Sequence, residues 1–137
     1  MNRPEAIRAL TTARSAHLAT ITPEGNPHLV PVTFAIVDDR VVTMVDHKPK
    51  TTTRLQRLAN IQNDPRASLL ADHYEEDWDE LWWVRVDGQA ELHEQGDVWE
   101  ESRSALAGKY DQYRRRPPEG AAIVIPIDRI TWWASTP

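Results

Sequence analysis

AHLATITPEGNPHLVPVTFAIVDDRVVTMVD, residues 16 to 46, decides the fold. Three apolar stretches are separated by two tight turn signals. Ala16 to Thr22 predicts a strand. TPEGNP, residues 22 to 27, predicts a turn, because Pro23 and Gly25 supply the backbone angles a turn needs. His28 to Ile36 predicts a second strand, apolar on both faces as in a strand covered on both sides. Asp38-Asp39 turns the chain again, and Arg40 to Asp46 predicts a third strand. Connections this short join antiparallel neighbours, so the first two strands form a hairpin. Pro31 cannot donate to a ladder and marks an edge, a bulge or a gap facing a ligand.

Pro4 to Arg14 precedes the first strand and predicts a short helix, with Ile7 and Leu10 on one face. After the third strand, Leu55, Leu58 and Ile61 recur every three residues and predict a helix from about Thr52 to Gln62, ended by Asn63, Asp64 and Pro65. Arg66 to Asp72 predicts a fourth strand, and residues 73 to 80 (HYEEDWDE) a polar loop. In Leu81 to Leu92, Val84, Val86, Gly88, Ala90 and Leu92 alternate with polar residues, which predicts a long strand buried on one face. Gly96 to Tyr113 contains a helix, and RRRPPEG follows as a loop. Ala121 to Ile127 and Arg129 to Ser135 predict the last strands. Six or seven mostly consecutive strands with a few short helices favour a small antiparallel barrel, mainly β with α+β character, over an alternating α/β sheet.

The 137 residues suit a single domain spanning 1 to 137. A hydrophobic share of 40% supports only a modest core, and dimerisation would help such a chain bury apolar surface. The net charge of −5 argues against a general nucleic-acid binder and against a polybasic membrane anchor. The absence of cysteine fits a reducing cytoplasm and removes thiolate metal sites. No signal-peptide core and no stretch of about 20 apolar residues occurs, so a cytoplasmic protein is expected. The pairs Trp82-Trp83 and Trp132-Trp133 each have one member that can point away from the core, because strand neighbours face opposite ways.

Against this acidic background, VDHKPKTTTRLQRLANI, residues 45 to 61, gathers Lys48, Lys50, Arg54 and Arg57 around Thr51, Thr52 and Thr53. The segment lies where a strand passes into a helix. Helix starts expose N–H groups that favour anions, threonines cap them, and lysines add point charges suited to phosphate. One reading is therefore a phosphate cradle; the other is a solvated helix face with ordinary caps. No mononucleotide-loop or dinucleotide-fold glycine motif is present. The histidines at 17, 28, 47, 73 and 93 lack metal-ligand spacing, so no metal site is expected, and the serines lack a nucleophile-elbow context. The acidic run Glu75 to Glu80 reads as a solvated loop.

Four segments together resemble the pyridoxamine 5′-phosphate oxidase-like, flavin-reductase-like split β-barrel family. They are ARSAHLATITPEGNPHLVPVTFAIVDDRVVTMVDHKPK, RLQRLANIQNDPRASLLAD, LWWVRVDGQAEL and RITWWAS, and they cover nearly the whole chain. Within that family, HKPKTTTRLQRLANI and DWDELWWVRVDG look most like the branch that uses the deazaflavin coenzyme F-420. The resemblance implies a six- to seven-stranded antiparallel split barrel with short peripheral helices. It also implies a homodimer with the cofactor in a groove between subunits. Lys50 falls at the family's phosphate-binding lysine, with Lys48, Thr51 and Arg54 nearby. His28, Val30, Pro31, Val32 and Thr33 fall on the strand lining the ring, and Thr43, Met44 and Val45 on its neighbour. Trp83 falls where a third strand reaches the groove. The chain lacks the arginine-rich phosphate signature and the C-terminal substrate arginines of authentic pyridoxamine phosphate oxidases. That argues against pyridoxal phosphate synthesis and places FMN behind the deazaflavin. The implied activity is hydride transfer between reduced F-420 and a small electron-poor substrate. The alternatives are an FMN-dependent reductase or oxidase, and a flavin or deazaflavin binder without turnover.

Overall fold

The computed structural model describes residues 1–46 and 55–136. Its strands are β1 (Ala16–Ile21), β2 (Pro27–Val32), β3 (Ala35–Val37), β4 (Arg40–Met44), β5 (Arg66–His73), β6 (Trp82–Gln89), β7 (Glu91–His93), β8 (Ala122–Pro126) and β9 (Arg129–Ala134). Among the described residues four α-helices accompany them: α1 (Arg3–Thr12), α2 (Gln56–Asn63), α3 (Asp97–Lys109) and α4 (Asp111–Arg115). The strands form two antiparallel sheets, ordered β2-β1-β5-β6-β9 and β3-β4-β8-β7. This is the split barrel that the turn pattern and the resemblance imply.

The strand count is higher than expected for a physical reason. Two stretches that read as single strands each divide between the sheets. His28 to Ile36 breaks at Thr33-Phe34, so β2 stays in the five-stranded sheet and β3 enters the four-stranded one. At the break, the Phe34 N–H donates to the Tyr110 hydroxyl at 3.2 Å instead of to a strand. Leu81 to Leu92 breaks at Ala90, whose N–H donates to the Pro65 carbonyl at 2.7 Å. Just before that break, β6 runs so close to β8 that a Cβ on Gly88 would lie 2.3 Å from the Pro126 carbonyl oxygen.

Local chemistry explains the remaining elements. Asn2 and Glu5 form a reciprocal capping box that starts α1, whose buried residues are Ala6 and Leu10, so the buried face lies one residue before the expected Ile7. Asp38 and Asp39 both adopt positive φ, of 46° and 58°, which matches the twist of a two-residue hairpin between β3 and β4. β2 lies at the edge of its sheet, where Pro31 costs no ladder bond. α2 begins at Gln56 with Leu55 in extended geometry as its N-cap and without a side-chain capping bond. The described helix thus starts later than the expected Thr52, and the threonines expected to cap it, Thr51 to Thr53, lie outside the described residues.

Leu18, Phe34, Val41, Leu69, Val84, Val86, Ile123 and Ile125 fill the space between the sheets and are essentially inaccessible to solvent. A second cluster joins Val42, Met44 and Val124 of the four-stranded sheet to Leu106 of α3 and Tyr113 of α4. Trp82 and Trp132 pack against the main core, and Trp132 Nε1 donates to the Met1 carbonyl at 2.9 Å. Their neighbours Trp83 and Trp133 pair on the opposite face of the sheet. Among the described residues, no helix is long and apolar enough to cross a membrane.

Candidate functional site

The strand break at Thr33 and the end of β4 open a groove of about 510 Å³. One wall comes from Pro31, Val32 and Thr33, where the chain leaves β2. The other comes from Thr43 and Met44 of β4 and from Val45 and Asp46 that follow. Ser15, just before β1, and Arg57 of α2 complete the lining. The second wall is held tightly against the chain before β8. Val45 N–H donates to the Ala121 carbonyl and Gly120 N–H to the Val45 carbonyl, each at 3.0 Å. A Cβ on Gly120 would lie 2.5 Å from Val45 Cβ, so glycine permits this approach.

Six of the residues implicated by sequence meet here: Pro31, Val32, Thr33, Thr43, Met44 and Val45. Arg57, noted in the basic cluster, joins them. His28 and Val30 share β2 but do not line the groove: Val30 packs on the core, and His28 Nδ1 is buried without a hydrogen-bond partner among the described residues. Trp83 lies on β6, opposite Asp72 and Trp133, and is not part of this groove within one protomer. Lys48, Lys50, Thr51 and Arg54 lie outside the described residues.

Residues distant in sequence build the groove's polar side. The Tyr113 hydroxyl sits 2.8 Å from Thr33 Oγ1 and donates to the Asp46 carboxylate. Thr43 Oγ1 donates to the Thr33 carbonyl at 2.7 Å. Burial pushes the Tyr113 phenol up to about 12, and its hydrogen bond to Asp46 adds to the effect. The groove therefore combines an apolar floor, the hydroxyls of Ser15, Thr33 and Thr43, one carboxylate and one guanidinium. Such a lining suits a flat ring bearing polar edges and an anionic tail. Asp46, Ser15 and Tyr113 carried no local signal in the sequence.

Behind the groove, Tyr110 clamps the strand break. Its hydroxyl lies 2.9 Å from the Arg14 carbonyl oxygen and 3.1 Å from that of Phe34. Lys109 Nζ lies 4.0 Å from the Phe34 ring centre and 5.4 Å from that of Tyr110, without a hydrogen-bond partner among the described residues. The ring faces favour the cation, but burial outweighs them. Burial, and then the nearby Arg14 charge, lower the Lys109 pKa to about 8 from 10.5. The unfolded chain holds this proton up to a higher pH than the native state does. Lys109 therefore makes stability rise with pH between about 8 and 10.5. Lys109→Met is expected to raise Tm at pH 7 and to lose that rise. Thermal unfolding of both proteins at pH 7, 8, 9 and 10 checks this, and parallel pH profiles would contradict it.

Residues 3–134 match the family described as pyridoxamine 5′-phosphate oxidase. No curated protein matches the chain. Among solved structures, a conserved hypothetical protein of Mycobacterium tuberculosis is 24% identical with a TM-score of 0.80, covering 98% of this chain and 86% of its own. A heme-binding protein of Mycobacterium smegmatis is 24% identical with a TM-score of 0.77, covering 97% of this chain and 55% of its own. A FAD-binding protein of Mesorhizobium loti is 18% identical with a TM-score of 0.70, covering 96% and 94%. At these identities the likeness is one of fold.

Proposed function

The chain belongs to the pyridoxamine 5′-phosphate oxidase family, and from that premise we propose that it is a deazaflavin-dependent oxidoreductase using coenzyme F-420. The observation that carries the reading is the groove between the ends of β2 and β4. Its apolar floor suits a ring, and Arg57, which belongs to the same basic cluster in sequence as Lys48 and Lys50, lines it. Lys50, with Lys48, Thr51 and Arg54, binds the cofactor phosphate. When bound, the cofactor supplies hydride chemistry. The protein holds the ring against Pro31, Val32 and Thr33, keeps water from one face, and positions a small electron-poor acceptor on the other. Such positioning can lower a barrier by about 7–11 kcal/mol at best.

Two copies complete the groove. The outward face of the five-stranded sheet carries Leu29, Leu70 and Trp133, which are 66%, 38% and 45% exposed. Pro31 shares that face and also lines the groove, so a partner seated there walls the cofactor site. Light scattering is expected to give twice the 15.7 kDa chain mass. Leu70→Glu combined with Trp133→Glu should yield monomer. A wild-type monomer would remove the shared groove.

FMN is the second reading, supported by the FAD-binding protein of the same fold. The test is turnover: purified protein, reduced F-420 and a panel of unsaturated carbonyls and quinones, followed by cofactor absorbance. Oxidation that depends on both protein and acceptor supports the oxidoreductase. Tight binding without turnover across the panel replaces it with a cofactor carrier.

A further inference from the structure

The hydrogen-bond directions around the groove can be assigned from valence alone. A carbonyl oxygen only accepts, so Thr43 gives its proton to the Thr33 carbonyl. A carboxylate only accepts, so Tyr113 gives its single proton to Asp46. The Tyr113 oxygen can then only accept in its 2.8 Å contact with Thr33 Oγ1, and Thr33 must be the donor there. The Thr33 and Thr43 hydroxyls thus have their protons committed to the protein, which leaves them only lone pairs to offer a ligand. From this we infer that the chain Thr33–Tyr113–Asp46 sets ligand specificity: Thr33 is an obligate acceptor that selects a ring N–H donor, as carried by the imide of a flavin or deazaflavin.

This inference rests on the cofactor reading and deepens it, because Tyr113 and Asp46 act through Thr33 and need not touch the ligand. Tyr113 lies 80 residues from Thr33 in the chain and is 7% exposed, so it orients the hydroxyl from behind the groove wall. A ring nitrogen carrying methyl in place of hydrogen offers nothing to Thr33 and leaves its lone pair unmatched.

The test compares F-420 or FMN, whichever binds more tightly, with its imide-N-methylated derivative. Wild-type protein should prefer the N–H form by on the order of five- to tenfold, the worth of one neutral hydrogen bond. Tyr113→Phe deletes one oxygen behind Thr33 and leaves the space before it unchanged. It frees the Thr33 proton and should cut the preference to about twofold or less. Thr33→Val should do the same, and Thr33→Ser should retain it, so the result does not depend on any one variant folding. A preference unchanged in Tyr113→Phe and Thr33→Val would be steric and would overturn the inference while leaving cofactor binding intact. Equal affinity of both forms for the wild type would also overturn it. Failure of every form to bind would instead remove the cofactor reading, and the inference with it.

Discussion

Phe34→Ala is expected to lower the unfolding free energy by about 3–5 kcal/mol. The ring is fully buried where the chain crosses from one sheet to the other, among Leu18, Val41 and their neighbours. Its removal costs the transfer of a large apolar group and leaves a cavity that a crossing pinned by Tyr110 cannot close. The Lys109 ammonium also loses the ring it faces at 4.0 Å. Urea unfolding followed by tryptophan fluorescence measures the loss. A change below about 1 kcal/mol would mean that the crossing collapses around the deletion and is not the rigid corner described.

Lys50→Ala is the second large effect, on binding instead of stability. A charge-assisted hydrogen bond to phosphate is worth about 1.5–3 kcal/mol, so the Kd for the cofactor should rise roughly ten- to a hundredfold. The salt dependence of binding should fall as well, since one fewer ionic contact is left for salt to screen. Lys50→Arg should keep the charge but not the point-like geometry, and should lose less than alanine. An unchanged Kd in Lys50→Ala would remove the phosphate assignment and leave Arg57 as the cation on the groove.

The barrel was legible because its turns are local. Pro23-Glu24-Gly25 and Asp38-Asp39 carry their own backbone preferences, and alternation from Val84 to Leu92 marks a buried face without reference to anything else. The division of two strands between sheets was not legible. Phe34 is bent away by a hydroxyl 76 residues downstream, and Ala90 by the carbonyl of Pro65. Periodicity reports which way side chains face, not which sheet a strand joins. The start of α2 shows a similar limit: Leu55 fits the apolar stripe, yet its backbone is extended.

The same distinction holds in the groove. Pro31 to Thr33 and Thr43 to Val45 lie at the ends of β2 and β4, close together in the chain, so one resemblance reached both walls. Asp46 and Tyr113 are 67 residues apart, and no local pattern announces their contact. Tyr113 looks like an ordinary residue at the end of the helical stretch from Gly96 until the short helix α4 brings it under Thr33. Trp83, drawn in by its strand, faces the outer side of the sheet, where only a second copy could connect it with a groove.

The most direct measurement is a fluorescence titration of the purified protein with oxidised coenzyme F-420 and, in parallel, with FMN. The account predicts saturable binding of F-420 at about micromolar Kd or below, near −8 kcal/mol, with FMN much weaker. The reverse preference, or binding of neither, would contradict it.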